Sequence, residues 1–261
     1  MVWLCFCSLL LLLGVQSSYL VGNLRLVVAG SDDDNNVPPT ILRDEIVSPS
    51  EELIELQSPE GKSLFGKMLH NAHSDLVLPL LANLETQMNL GACAPASACT
   101  VLNTLEYKLP YDPTYSMFDT VGYAHWTQDY FILDECVKQV VGPKVFGQTL
   151  ASFGRIMQCI GLNVDCQHGN QSSNPLTQKL QRHFELDGHV VVANFQRSVL
   201  HQPAGGHFSP LAGMVNNRVL VLDVARYKYY PVFASVHDMV KSMMTFDEQS
   251  QAMRGFCAVW K

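Results

Sequence analysis

The 261-residue sequence is short of basic charge. Its 17 Lys and Arg stand against 24 Asp and Glu, a net charge of −7. Without a positive field there is nothing to hold a phosphate backbone, so nucleic acid is set aside as a partner. No two of its eight cysteines form a C-x-x-C pair, which removes the usual frame for structural zinc, and there is no internal repeat. Nor is the apolar run at the start, Val2 to Leu13, long enough to span a bilayer, which takes about 20 residues. Val15-Gln16-Ser17 follows it with small residues where a signal peptidase reads, so residues 1–18 are expected to be a secretory signal, although no Lys or Arg precedes the apolar stretch. The expected location is the secretory pathway, ending in a secreted, vesicular or periplasmic protein with no stable membrane insertion once the signal is removed.

What is present suits one catalytic unit with an N-terminal extension, since 48% apolar residues over this length can bury one good core. Residues 19–52 include GSDDDNNVPP, acidic and turn-rich, and read as a linker or propeptide. Ordered structure is expected from about Leu53, giving a catalytic domain over residues 53–261. Removal of the signal takes Cys5 and Cys7 and leaves Cys93, Cys99, Cys136, Cys159, Cys166 and Cys257. If one of these six is a working thiol, the other five cannot all pair, and at least one more stays free. Asn170-Gln171-Ser172 fits an acceptor for N-glycosylation.

Hydrophobic periodicity changes along the chain. Helical spacing is expected from Pro95 to about Tyr107, from Thr149 to Ile160 and from Pro175 to Leu186, with Gly188 as a stop, and residues 110–131 read as irregular. Residues 189–195, 207–215, 218–224 and 255–260 are short, apolar and β-branched, as strands are. Helices followed by strands indicate an α+β fold, with helices packed on a mostly antiparallel sheet.

Three positions carry the chemistry. Cys93 stands at the mouth of a helix whose first turn holds Pro95 and whose cap is expected at Ala94. Unpaired amides and the positive end of the helix dipole favour an anion there, although most lone cysteines are simply small buried residues. Asp223 interrupts the apolar strand RVLVLDV and must be paired or solvated. His207 opens the preceding strand; alone it would read equally well as a surface histidine. With a two-residue turn at Asn216-Asn217, His207 and Asp223 would face opposite ways. A three-residue loop or a bulge sets Asp223 opposite Ser209 and diagonal to His207, about 7–8 Å away along the backbone and within side-chain reach. Cysteine, histidine and aspartate in that order are the layout of a papain-like thiol acyltransferase or hydrolase: His207 takes and returns the proton and Asp223 orients it. Gln87, six residues before Cys93 and outside the helix, is a candidate donor to the oxyanion beside the Cys93 amide.

ETQMNLGACAPASACTVLNTL, GGHFSPLAGM and LDVARYKYYPV, with SPEGKSLF before them and MRGFCAVW after, resemble the phytochelatin synthase family of papain-like enzymes, in particular its short single-domain members. The resemblance covers about residues 53 to 261. It implies a glutathione γ-glutamylcysteinyltransferase that cleaves glutathione, releases glycine, holds γ-Glu-Cys on the cysteine and passes it to a second glutathione or to water. Carried over by position, the catalytic residues are Cys93, His207, Asp223 and Gln87. The contacts to the γ-glutamyl group are Asn194, Arg197, Gly206, Asp247 and Arg254; taken alone, Asp247 and Arg254 would read as an ordinary surface pair. Arg226 and Tyr227 also match, without an assigned role.

No metal site and no tightly bound cofactor are expected. Heavy-metal ions such as Cd or Zn would act as metal–glutathione thiolates, in a metal-detoxifying role. Partners are restricted to glutathione, with a homodimer as a further option. Two departures stand out. Ala94-Pro95 follows the nucleophile where the family commonly has glycine, and no long Cys-rich region follows the catalytic part, so hydrolysis is expected to weigh more than polymer synthesis. The other readings are a general papain-like peptidase cutting ordinary peptide bonds, and a secreted binding protein on an inactive scaffold.

Overall fold

The computed structural model describes residues 53–71, 73–110, 124–169 and 173–261. The expected signal, the linker or propeptide, and Asn170-Gln171-Ser172 lie outside them.

In chain order the elements are β1 (Ile54–Glu55), α1 (Pro59–Leu69), α2 (Val77–Ala82), α3 (Cys93–Thr104), α4 (Gln128–Leu133), α5 (Glu135–Val141), α6 (Leu150–Ile160), β2 (Asn163–His168), α7 (Ser173–Phe184), β3 (Val190–Gln196), β4 (Gly206–Val215), β5 (Arg218–Val221), β6 (Val232–Ser235), α8 (Val236–Met243), β7 (Phe246–Asp247), β8 (Ala252–Met253) and β9 (Gly255–Trp260). Seven strands form one sheet in the order β1-β6-β5-β4-β3-β9-β2, and β7 and β8 make a small hairpin. Every pairing in both is antiparallel. The expected α+β class is the one observed, with a buried helix laid on an antiparallel sheet.

The two sheet faces are covered separately. On one side Val190, Val192, Phe208 and Leu220 pack with Leu102 of α3 and with Phe153, Ile156 and Met157 of α6. On the other, Val191, Ala193, Phe195 and Val219 pack with Leu176 and Leu180 of α7 and Met239 and Met243 of α8. Both faces of β3 are therefore core, which is why its sequence is continuously apolar instead of alternating. Helix α3 is buried over all twelve residues. This helix lies in the middle of the fold, its polar Thr100 and Asn103 satisfied by the Ala96 carbonyl and the Trp126 backbone, and it brings Cys93 with it.

Several expectations need correction. Helix α3 begins at Cys93 with Ala92 as its cap, two residues before the expected start at Pro95. The first amides of a helix have no intrahelical acceptor, so proline is as comfortable in the third helical position as in the first. Within 110–131, residues 111–123 lie outside the described residues, but 128–131 belong to α4 and are not irregular. Thr127 caps α4 by accepting from the Tyr130 amide, and Trp126 meets Tyr130 and Phe131 edge-on. Strand β2, NVDCQH, was not anticipated: an edge strand only half-buried has little apolar alternation to show. With β1, β2 and α8 present, helices and strands also interleave more than expected.

The connection between β4 and β5 is a two-residue Asn216-Asn217 turn, both residues at positive φ, as such hairpins require. A bulge between Leu211 and Met214 then shifts the register, with Gly213 at φ +152° inside it. Beyond the bulge Leu211 pairs with Val221 and the Leu222 amide bonds the Pro210 carbonyl at 2.9 Å, so Asp223 comes opposite Ser209. Of the two devices that could put Asp223 on the same side as His207, the bulge is the one used.

Four cysteines are paired, Cys136 with Cys159 and Cys166 with Cys257. Among the described residues Cys93 and Cys99 are free and buried. No helix among them is long and apolar enough to cross a membrane.

Candidate active site

Helix α3 has no side chain capping its first turn, and the Cys93 sulfur sits at that uncapped end. It is hydrogen-bonded to the His207 imidazole and to the backbone amides of Phe208 and Ala94. Burial pushes the thiol up, but the hydrogen bond and charge of His207, with the two amides, outweigh it and hold Cys93 below the ordinary thiol value. Cys99 is the internal contrast. Burial, and then the charge of Glu85, push it well above the ordinary value.

His207 opens β4 and is 5% exposed, so it is not the surface histidine it could have been. Its Nε2 lies 3.0 Å from Asp223 Oδ1, leaving Nδ1 for the sulfur. Burial pulls its pKa down, and the Asp223 charge and hydrogen bond, joined by Cys93, raise it above the ordinary imidazole value. A lowered thiol beside a raised imidazole favours the thiolate–imidazolium pair. Phe195, the cross-strand partner of His207, meets the ring edge-on at 5.6 Å and fixes its plane.

Asp223, 2% exposed, is fully satisfied. Oδ1 accepts from His207, from Arg197 Nη2 at 2.9 Å and from the Ala225 amide at 2.8 Å, and Oδ2 lies 2.8 Å from Arg197 Nη1. Burial alone would raise the carboxyl; His207 and then Arg197 hold it far below the usual carboxylate range. Guanidinium, carboxylate, imidazolium and thiolate thus alternate in sign along one buried chain. Each charge has an opposite neighbour, which offsets the cost of taking all four out of water.

Arg197, expected among the substrate contacts, has its fork engaged inside the protein. Besides Asp223 it donates from Nη1 to Gln202 Oε1 at 2.6 Å, and the ring of Tyr229 lies 4.4 Å from its guanidinium carbon. The other four expected contact residues converge. Arg254 donates to Asn194 Oδ1 and to Asp247 Oδ1, both at 3.3 Å, and a Cβ on Gly206 would come within 2.4 Å of its Nη1. Asp247 and Arg254 are about nine-tenths buried, unlike a surface pair, and Arg254 Nε has no hydrogen-bond partner among the described residues. Gly206 precedes His207, so this cluster adjoins the catalytic chain.

Gln87 is buried beside the end of the Asp223 segment, its amide bonding the Val224 carbonyl at 2.9 Å. Gln128 braces it from both sides: Oε1 accepts from the Met88 amide and Nε2 donates to the Thr86 carbonyl, each at 2.9 Å. Gln87 Nε2 donates to Tyr227 Oη at 2.7 Å. Gln128, Gln202 and Tyr229 were not singled out from the sequence. They are polar residues whose partners lie far away along the chain, and nothing in local spacing marks them. Among the described residues no group of three or more His, Cys, Asp or Glu is arranged to hold a metal ion.

Comparisons with known proteins identify the family. A family model described as Phytochelatin synthase matches residues 45–256. Glutathione gamma-glutamylcysteinyltransferase 3 of Lotus japonicus is 30% identical over 219 residues, covering 82% of this chain and 44% of that protein. Glutathione gamma-glutamylcysteinyltransferase 1 of Triticum aestivum is 28% identical (82% and 41% covered), and the Schizosaccharomyces pombe glutathione gamma-glutamylcysteinyltransferase 26% (78% and 48%). The chain spans less than half the length of these relatives. Among solved structures, the peptidase domain of Streptococcus ComA, a bi-functional ABC transporter, aligns at 13% identity and a TM-score of 0.39, over 68% of this chain and 97% of that one. The Pseudomonas avirulence protein AvrPphB aligns at 8% and 0.28, over 84% and 98%. At such scores no residue correspondence follows from either. The family match spans most of the sequence, the candidate residues Gln87, Cys93, His207 and Asp223 included: the chain belongs to the phytochelatin synthase family.

Proposed function

We propose that this protein is a glutathione γ-glutamylcysteinyltransferase that also passes its acyl group to water. The observation that carries the reading is the buried Cys93–His207–Asp223 chain lying beside the Arg254–Asp247–Asn194 cluster. The γ-glutamyl end of glutathione bears an α-carboxylate and an α-ammonium, and a buried arginine with an unpartnered Nε next to a buried aspartate answers both. The curated relatives carry the same activity in their names.

In this reading the Cys93 thiolate attacks the carbonyl of the Cys–Gly amide. The oxyanion that forms takes hydrogen bonds from the Cys93 amide and Gln87 Nε2. His207 delivers its proton to the glycine nitrogen, the C–N bond breaks, glycine leaves, and γ-Glu-Cys remains as a thioester on Cys93. His207, now neutral, takes a proton from the amine of a second glutathione or from water as that nucleophile attacks, and the thiolate is restored. Asp223 keeps the imidazole oriented throughout, with Arg197 acting on it. Metal ions enter as glutathione thiolates, that is, as substrate.

The two disulfides support an oxidising compartment, in keeping with a signal over residues 1–18. The test is mass spectrometry of the products from glutathione, with and without cadmium, beside Cys93→Ala. Oligomers of γ-Glu-Cys indicate transfer and the bare dipeptide with free glycine indicates hydrolysis. Cleavage of denatured protein with glutathione left intact would overturn the reading in favour of a general peptidase.

A further inference from the structure

The carboxamide of Gln87 is held by a single hydrogen bond. Nε2 donates to Tyr227 Oη at 2.7 Å, while Oε1 is buried and has no partner among the described residues. The backbone on either side is held by Gln128 and Val224, and the Tyr227 hydroxyl is the contact that sets the rotation of the amide. That rotation matters for an oxyanion donor. Turned one way, the group offers N–H to developing negative charge; turned the other, it presents the lone pairs of Oε1 and repels it.

We infer that Tyr227 is a positioning residue for the oxyanion hole: its hydroxyl accepts one Nε2 hydrogen of Gln87 and thereby aims the other at the reacting carbonyl. This rests on the assignment of Gln87 as oxyanion donor in the function proposed above. Tyr227 lies four residues beyond Asp223 on the segment that also bonds the Gln87 backbone, so one stretch of chain orients both the general base and the oxyanion donor. The ring is 39% exposed, and removing the hydroxyl leaves the packing of its ring unchanged.

The experiment is a double-mutant cycle of Tyr227→Phe and Gln87→Ala with three readouts: glycine release from glutathione, p-nitrophenolate release from p-nitrophenyl acetate, and alkylation of Cys93 by iodoacetamide. The first two pass through an oxyanion; the third is a direct displacement and does not. Tyr227→Phe is expected to lower kcat about tenfold with KM within twofold, and to lower nothing further in the Gln87→Ala background, where kcat has already fallen about a hundredfold. Alkylation is expected to be equal in all four proteins. Equal losses in both backgrounds, a change confined to KM, no loss at all, or slowed alkylation would each overturn the inference. A wild-type protein that releases p-nitrophenolate but no glycine would overturn the glutathione reading alone, and the ester cycle would still decide the role of Tyr227. Release from neither substrate would overturn both.

Discussion

Arg197 grips both carboxylate oxygens of Asp223, Nη1 to Oδ2 at 2.8 Å and Nη2 to Oδ1 at 2.9 Å, with both residues buried. A forked pair of this kind stabilises little relative to apolar packing, but breaking it strands a charge away from water. Arg197→Met is therefore expected to lower the unfolding free energy by about 3–5 kcal/mol, read from urea denaturation. Arg197→Lys keeps the charge without the fork and recovers part of that loss. Lys138→Met, which removes an exposed pair with Glu135, is the control and should change stability by less than about 0.5 kcal/mol. A loss below about 1 kcal/mol for Arg197→Met would show that the fork is not needed to hold Asp223.

The Cys93 thiol is lowered and the His207 imidazole raised, and both shifts favour the thiolate–imidazolium pair. Iodoacetamide labelling of Cys93 should rise at lower pH than that of an ordinary thiol, because the thiolate forms sooner. His207→Ala removes the largest of the contacts that oppose burial and leaves only the Phe208 and Ala94 amides, so the thiol rises and labelling at pH 7 drops about tenfold. Cys99, pushed up by burial and by Glu85, should stay unlabelled in both proteins. Peptide mapping by mass spectrometry separates the two sites, and equal labelling of Cys93 with and without His207 would remove the pairing.

How far the sequence alone reached depends on whether a feature is local. Cys93 at a helix mouth, and His207 and Asp223 on a shared side, follow from helix and strand periods and from the three-residue loop or bulge that a shared side demands, which the structure supplies as a bulge between Leu211 and Met214. Arg197 on Asp223, Gln202 on Arg197 and Gln128 beside Gln87 are bonds between segments whose proximity only the fold decides. Resemblance named Arg197 as a substrate contact, while its hydrogen bonds run to Asp223 and Gln202. The start of α3 was misplaced because proline fits any of the first helical positions, and β2 was unreadable because its exposed edge tolerates Asp165, Gln167 and His168.

Gly206 leaves the space that the Arg254 guanidinium fills, since an added Cβ would sit 2.4 Å from Nη1. Its backbone is not in the left-handed region, so alanine is excluded by space and not by conformation. Arg254 is anchored at both ends of its fork, to Asn194 and Asp247, and cannot swing aside without losing those bonds. Gly206→Ala is expected to raise KM for glutathione about tenfold or more in steady-state assays of glycine release, and the displaced guanidinium to lower stability by about 1–3 kcal/mol. An unchanged KM would place the γ-glutamyl group elsewhere.

Away from the site, His183 Nδ1 and His189 Nδ1 lie 3.1 Å apart, His183 Nε2 is 3.1 Å from Asp165 Oδ2, and His189 stacks on Trp260 with ring centroids 4.2 Å apart. Two ring nitrogens at that distance share one proton, and a second proton forces two cations together. His189 is accordingly held below the ordinary imidazole value, by burial first and then by the charge of His183. With the folded value below the unfolded one, the neutral ring's contribution to stability is complete above about pH 6.5 and is lost as pH falls from there through the folded value. His207 has the opposite sign: its folded value is raised, so its contribution persists below pH 6.5 and adds nothing to the acid loss. The melting temperature of the wild-type protein should therefore fall more steeply between pH 7 and pH 5 than that of His189→Gln, with quenching of Trp260 fluorescence over the same range as the stacked ring gains charge. Parallel pH slopes in the two proteins would mean that the His183–His189 contact does not resist the second proton.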